Sequence, residues 1–375
     1  MFYKNLHQNI RTIQKSFLNL TLVGGSMKKL MFRTVLSINL FFISLFGITS
    51  ANSEEVLNVY NWGDYINPAV LEKFTAETGI KVNLDVYGSN EEMLAKIQTG
   101  ASGYDIVFPS VHFHDILYKL DLLHESKINE SPLFKNIDED FIISKTDPDG
   151  SWCLPYARGS VGIFYNKNIV TGGIQTWDDF FSIPEKYGGK ITMLDDPRET
   201  IGVGLIVNGK SVNSTDSGEI KAAAKYINDR KDKISAFSYD IISLLQSGDI
   251  AAAHWYVGGL YYVFEDPEQK LAYAIPEEGA TMYQEDICVL KSAPNKESAY
   301  KFMEFYLNPE NPALNTEQQL NISANGPSRE ALPDDLRNNP YINPPAEAYA
   351  KLQIFDDLGE DIKKYTKEWT KIRTQ

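Results

Sequence analysis

The sequence predicts an α/β protein of two lobes, each a mainly parallel sheet flanked by helices. Three observations carry this reading. A run beginning at Val56 reads β-α-β-α-β, which implies a parallel sheet with right-handed crossovers. A second series of strands and helices follows, with the first crossover near Ser160. The roughly 320 residues beyond the N-terminal segment also exceed the usual extent of one hydrophobic core.

The elements follow in order. "VLNVYNW" is strand-like, and Asn67 can cap the helix "PAVLEKFTAETG", with Pro68 at its first position and Gly79 as its stop. "IKVNLDVYG" alternates with the period of a strand. In "SNEEMLAKIQTG", Ser89 and Glu92 have the spacing of a capping box. "YDIVFPS" is a short apolar run, as a buried parallel strand requires. Later, "SVGIFYNK", "GKITMLD", "DIAAAHWY" and "EDICVL" read as strands. "TWDDFF", "PRETIGVGLIVNG", "KAAAKYINDRKDKI" and "KESAYKFMEFYL" read as helices.

The N-terminal 53 residues hold six basic residues and no acidic one. From Met27 they read as a secretory signal over 27–51. Lys28, Lys29 and Arg33 precede an apolar run from Thr34 to Phe46, and Thr49 and Ala51 are the small residues of a cleavage site. The run falls short of the about 20 apolar residues of a membrane span. Residues 1–26 have neither that charge order nor a core-like pattern and read as an untranslated extension. Without residues 1–53, 30 basic residues face 50 acidic ones, a net charge of −20. Such a surface disfavours nucleic acid and anionic membranes, whose phosphates are held by Lys and Arg. Cys153 and Cys288 lie far apart in apolar contexts, and with no CxxC and five His no metal site is expected. Buried free thiols are the favoured reading, with a disulfide left open in an exported chain.

In open α/β sheets ligands sit beyond the carboxyl ends of the strands. Trp62, Gly63, Asp64 and Tyr65 follow the first strand, and Ser110 and His112 follow "YDIVFP". Asp196 and Glu199 follow "GKITMLD", Trp255 follows "DIAAAH", and Tyr283 and Glu285 stand just before "DICVL". Each has an ordinary alternative. Asp196 with Glu199 is also a capping box before Pro197, Asp64 can cap a turn, and the Trp rings can be core. Aromatics and carboxylates recur at five strand ends, with hardly a base among them.

Acids and aromatic faces without bases suit a multiply charged amine. Ammonium groups are cationic at neutral pH, pair with carboxylates and are drawn to ring faces by about 0.5–2 kcal/mol each. The methylenes between the charges add roughly 0.8 kcal/mol per buried CH₂. The alternatives fare worse. No G-x-S-x-G or Cys/His arrangement supports nucleophilic catalysis, and "GVG" at 202–204 is too weak a phosphate loop. A glycosidase-like carboxylate pair stays open, because spacing in sequence cannot set a separation in space.

At these residues the chain resembles the polyamine (spermidine/putrescine) substrate-binding proteins of bacterial ABC importers. "YNWGDYI", "FTAETGIKV", "YGSNEEMLAKI", "YDIVFPS", "LPYARGSVGI", "GGKITMLDDPRE" and "NKESAYKFMEFYLNPE" match in order. The resemblance implies a periplasmic two-lobed fold joined by crossing hinge segments. Lobe 1 would be 54–160 plus about 284–350, and lobe 2 would be 161–283 plus about 351–375. It implies a monomer that closes on a polyamine, serves an inner-membrane permease and carries no cofactor. By motif, Trp62, Asp64, Tyr65 and Ser110 would line one wall, and Asp196 and Glu199 would meet ammonium groups. Trp255 would stack, and Tyr283 and Glu285 would fill the aromatic–x–acid position. Asp356, or its neighbour Asp357, would add a polar contact.

The departures are informative. Gly63 stands where Ser or Thr is common, His112 where Tyr is, and Ile322 where a Tyr often reaches the ligand. Gly258 lacks the acid of putrescine-preferring members, which leans the reading towards spermidine. Arg158 replaces an aromatic, and in the cleft it would oppose a polycation and favour a ligand with a carboxylate.

Overall fold

The computed structural model describes residues 55–100, 103–266, 268–343 and 345–374. The expected signal segment and the extension before it lie outside these residues.

The first lobe starts with β1 (Val56–Trp62), α1 (Pro68–Thr78), β2 (Lys81–Tyr87), α2 (Asn90–Ile97), β3 (Ile106–Val107) and α3 (Val111–Lys119). The local signals act as read. Asn67 accepts from the Ala69 amide, and Gly79 ends α1 at φ 74°, a left-handed backbone that glycine adopts without Cβ strain. Ser89 caps α2 through the Glu92 amide, but Glu92 returns its contact to the Gly88 amide at 2.8 Å. β1 pairs in parallel with both β2 and β3.

Two long strands then cross between the lobes: β4 (Cys153–Asn166) and, after the second lobe, β9 (Ala280–Val289). They are antiparallel to each other and form the middle of a continuous sheet, with β3 beside β9 and the strands of the second lobe beyond β4. The second lobe supplies α4 (Trp177–Tyr187), β5 (Ile191–Met193), α5 (Pro197–Val207), α6 (Ser217–Asn228), β6 (Ile234–Phe237), β7 (Ala252–Tyr256) and β8 (Leu271–Ala274). There β5 pairs in parallel with β6 and β7. Each lobe is therefore parallel at its outer strands, and the antiparallel pairings belong to the crossing strands. The chain returns through α7 (Lys296–Leu307), α8 (Glu310–Gln319), β10 (Ile322–Ser323), β11 (Leu352–Ile354) and α9 (Ile362–Thr374).

The cores are separate. One joins Leu57, Phe74, Met93, Phe108, Tyr156 and Phe302. A second joins Trp177, Phe180, Ile191, Leu205 and Tyr365. Along β4 the side chains leave the first core at Ala157 and enter the second at Ile163. A third core joins Phe164, Leu245 and Tyr273 to Leu320, Leu336 and Ile342 of the returning chain, and burial of this kind contributes about 25 cal/mol per Å² of apolar surface.

The cysteines differ from the favoured reading. Cys153 and Cys288 face each other across β4 and β9 and are joined in a disulfide. Their separation of 135 residues hid a pairing that strand register makes direct. Among the described residues no helix is long and apolar enough to cross a membrane.

Candidate functional site

β9 alternates its side chains across the two faces of the sheet. Thr281, Tyr283 and Glu285 share one face, opposite Val161, Gly159 and Ala157 of β4. Tyr283 lies directly over Gly159. A Cβ there would sit 2.5 Å from Tyr283 Cζ and 2.6 Å from Val257 Cγ1, so only glycine admits the ring.

Glu285 is the centre of this face. Its Oε2 accepts from Tyr65 Oη at 2.6 Å and its Oε1 from Ser110 Oγ at 3.1 Å. Asn90, the first residue of α2, donates to Ser110 Oγ at 3.0 Å, and Asn321 donates to Tyr65 Oη at 3.3 Å. Glu285 is 4 % exposed, and burial pushes its carboxyl up to about 8 although both hydroxyls donate to it.

Glu199 comes from the other lobe, in the first turn of α5. Asp196 caps that helix, its Oδ1 accepting from the Arg198 and Glu199 amides at 2.7 and 2.9 Å. The Glu199 side chain does not close the capping box and instead accepts from Thr281 Oγ1 on β9. Helix capping therefore accounts for Asp196 and not for Glu199. Burial, then the charge of Asp196, raises Glu199 to about 8, and burial also raises Asp196. The second Asp196 oxygen accepts from Tyr239 Oη at 3.4 Å. Burial also raises the Tyr256 phenol, followed by Glu199, Tyr239, Asp196 and Glu285. Its ring is 5.7 Å from Tyr283, and Tyr65 is 6.3 Å from Tyr283. Asp195, next along the chain, pairs with Arg373 at 3.0 Å. No ion pair among the described residues uses Asp196, Glu199 or Glu285.

The remaining expected residues lie around this group. Trp62 donates Nε1 to the Phe108 carbonyl at 2.8 Å and packs on Tyr87 at 4.8 Å, so half of it is core. Asp64 is exposed at φ 51°, and its charge reaches Tyr262 of the second lobe. Gly63 is exposed, and a Cβ there would meet nothing within 4 Å, so a Ser at this place would fit without rearrangement. Trp255 starts from the sheet face opposite Tyr256 and packs on Phe164 and against Gly259, with a buried Nε1 that has no partner. His112 meets Phe355 edge-on at 6.0 Å, and burial with the nearby Arg198 pushes it down to about 3, so the ring is neutral. Asp356 pairs with Lys145 at 2.8 Å and Asp357 with Lys119 at 2.7 Å.

Arg158 faces away from the cleft. Its partner across the strands is Gln284, on the face opposite Glu285, and Gln284 Oε1 accepts from Arg158 Nε and Nη2 at 3.1 and 2.6 Å. The guanidinium stacks 3.8 Å from the Phe141 ring and bonds the Asp140 carbonyl at 2.6 Å. Burial lowers it to about 10, still a cation at neutral pH, but one on the far side of the sheet from the acids.

Sequence reasoning missed Tyr239, Tyr256, Asn90 and Asn321. Tyr239 follows β6, a strand whose end went unread, and Tyr256 follows Trp255 directly. Asn90 and Asn321 carried no distinguishing local signal.

The profile of the bacterial extracellular solute-binding protein family matches residues 69–346. The chain is 34% identical to the putrescine-binding periplasmic protein SpuD of Pseudomonas aeruginosa, over 88% of this chain and 95% of that one. It is 30% identical to the spermidine/putrescine-binding periplasmic protein of Escherichia coli, over 87% of this chain and 94% of that one. The solved structure of the spermidine/putrescine ABC transporter substrate-binding protein PotD from Streptococcus pneumoniae superposes with a TM-score of 0.76 at 29% identity. It covers 85% of this chain and 98% of that one. Two lobes, two crossing strands and a polar group between them, matched over most of the chain, lead to one assignment: this chain belongs to the bacterial extracellular solute-binding protein family.

Proposed function

We propose that this chain captures a polyamine, spermidine or putrescine, between its lobes and delivers it to the inner-membrane permease of an ABC importer. One observation carries the reading. Glu199 and Glu285, from opposite lobes, are buried carboxyls that form no ion pair among the described residues, set among Tyr65, Tyr256 and Tyr283. Leaving such acids unpaired costs stability unless an incoming cation compensates. An alkyl diammonium supplies charge at both ends and methylenes for the rings between. Micromolar binding needs about 8 kcal/mol net, within reach of a few such contacts after ordering costs. Arg158 is turned away, and Arg198, whose charge acts on Asp196 and Glu199, spends its guanidinium bonds on Asn213 and on the Val212 and Asp356 carbonyls and not on the acids. Capture requires no covalent chemistry, and no catalytic role is assigned to these acids.

In this reading lobe 1 is 54–160 plus about 284–350 and lobe 2 is 161–283 plus about 351–375. The protein works as a monomer in the periplasm after removal of its signal segment. Trp62, Asp64, Ser110, Trp255 and Asp356 border the ligand path. The absence of an acid at Gly258 favours spermidine. Thermal melts with a panel of amines test the proposal. A hundredfold excess over Kd stabilises by about 2.7 kcal/mol. No shift with spermidine, putrescine or cadaverine would refute it, and a shift with only an amino acid or agmatine would move the ligand class.

A further inference from the structure

The far face of the crossing strands holds a second buried group that the capture of an amine does not use. His114 of α3 is 1 % exposed. Its Nδ1 is fixed 2.8 Å from Asp286 Oδ2, while its Nε2 is buried with no hydrogen-bond partner. The nearest carboxylate oxygen, Asp147 Oδ2, is 3.8 Å away, beyond hydrogen-bond range. Asp147 is itself held in place by the backbone amides of Ser151, Trp152 and Cys153 at 2.8, 3.1 and 3.0 Å. A ring nitrogen of His114 and the sulfurs of Cys153 and Cys288 lie within 4.8 Å of one another. The nitrogen with nothing bound to it is Nε2.

The geometry points to a redox-gated zinc site at His114, Cys153 and Cys288, closed while the two sulfurs are bonded and opened by a dithiol reductant. The donor set is two sulfurs and one imidazole nitrogen, which suits a tetrahedral d¹⁰ cation. A carboxylate on the other ring nitrogen is how protein zinc sites commonly orient their histidines, and Asp286 stands there. Asp147 Oδ2 is near the distance of a tetrahedral edge, which is about 3.3 Å between ligands bound at 2.0–2.1 Å. It or a water completes the shell. Two thiolates neutralise Zn²⁺, so the buried site gains no net charge. The chemistry balances. The dithiol passes two electrons and two protons to the bridge and closes to its own disulfide. The two freed thiols then release those protons to solvent as Zn²⁺ binds. The three ligands come from positions 114, 153 and 288, which is why no spacing in the sequence announced them.

The test uses the purified full chain, oxidised or reduced with dithiothreitol under nitrogen and desalted. Far-ultraviolet circular dichroism checks the fold, and Zn²⁺ is titrated against a chromophoric chelator, with Co²⁺ in parallel. The reduced, folded protein should take one Zn²⁺ that the oxidised protein does not. Its Co²⁺ form should show thiolate-to-cobalt charge transfer and the visible bands of a tetrahedral site. Cys288→Ser should roughly halve the charge-transfer signal and weaken cobalt binding, the Cys153→Ser/Cys288→Ser double variant should abolish the signal, and Asp286→Asn should weaken zinc binding by roughly 10–100-fold while the fold is kept. The proposal is overturned if reduced wild type takes no more zinc than the Cys153→Ser/Cys288→Ser double variant. It is also overturned if the cobalt bands appear only as the helical signal is lost. None of these readouts involves an amine.

Discussion

The two faces of one pair of strands, β4 and β9, make opposite use of buried polar groups. On the far face Arg158, Gln284, Asp286 and His114 bond chiefly to one another and to backbone carbonyls, with Gln284 donating both to the Phe141 carbonyl and to Asp286. On the cleft face Glu285 and Glu199 accept only from hydroxyls, and among the described residues neither forms an ion pair. Apart from His114 Nε2, the first arrangement has the logic of a satisfied network, which specifies one packing. The second stores unused capacity for charge, which is what a receptor for a cation requires. Adjacent residues of one strand thus enter opposite environments, because a strand turns successive side chains to opposite sides.

The largest expected break in that contrast is Glu285→Gln. Removing one partner of a buried charge pair costs about 2–5 kcal/mol of binding, so spermidine Kd measured by calorimetry should rise by about 30-fold or more. The melting temperature of the unliganded variant should hold or rise, because a neutral amide replaces a buried acid. Arg158→Leu should do the reverse. It strands Gln284 Oε1 and the Asp140 carbonyl, at about 1–3 kcal/mol for each unsatisfied group, so the melting temperature falls while amine affinity stays close to wild type. A large loss of affinity in Arg158→Leu at unchanged stability would contradict the separation of the faces.

Acidity sharpens the comparison next. In the free protein burial holds Glu199 and Glu285 at about 8, whereas an ammonium ligand needs them ionised. Binding near neutral pH therefore releases protons. Affinity should rise as pH climbs towards 8, by up to about tenfold per unit for each proton released. Calorimetry in buffers of different ionisation enthalpy counts those protons, and a count of zero at pH 7 would contradict the raised acids. Stability of the unliganded protein runs the other way. Between about 4.5, where the unfolded carboxyls lose their protons, and about 8, where the native ones do, the native state binds more protons. Its stability should fall as pH rises across that window and level off above it.

The smallest effect is expected at the rim. Asp356 is engaged with Lys145 in an exposed pair, and such pairs contribute about 0–1 kcal/mol. Asp356→Asn should change both melting temperature and amine affinity little. A tenfold loss of affinity would show that this carboxylate leaves Lys145 for the ligand.

Much of the molecule was legible in the chain alone. Strand period, Asn67 and Gly79 at the ends of α1, and Asp196 with Pro197 at the start of α5 are local signals, and local backbone physics acts on them directly. The residues after β1, β3 and β5 come to one side because parallel strands gather their carboxyl ends there, whereas Tyr283 and Glu285, expected just before a strand, lie inside the antiparallel crossing strand β9. Decisions that depend on which side of a strand a residue faces, or on what stands opposite it, belonged to the tertiary structure. Register sent Arg158 to Gln284 and away from the cleft, paired Cys153 with Cys288, and freed Glu199 from its cap to meet Thr281. Local signals and composition set the elements and the chemical character of the cleft. Only the fold decided which acids stand unpaired there, because pairing across strands joins residues more than a hundred positions apart.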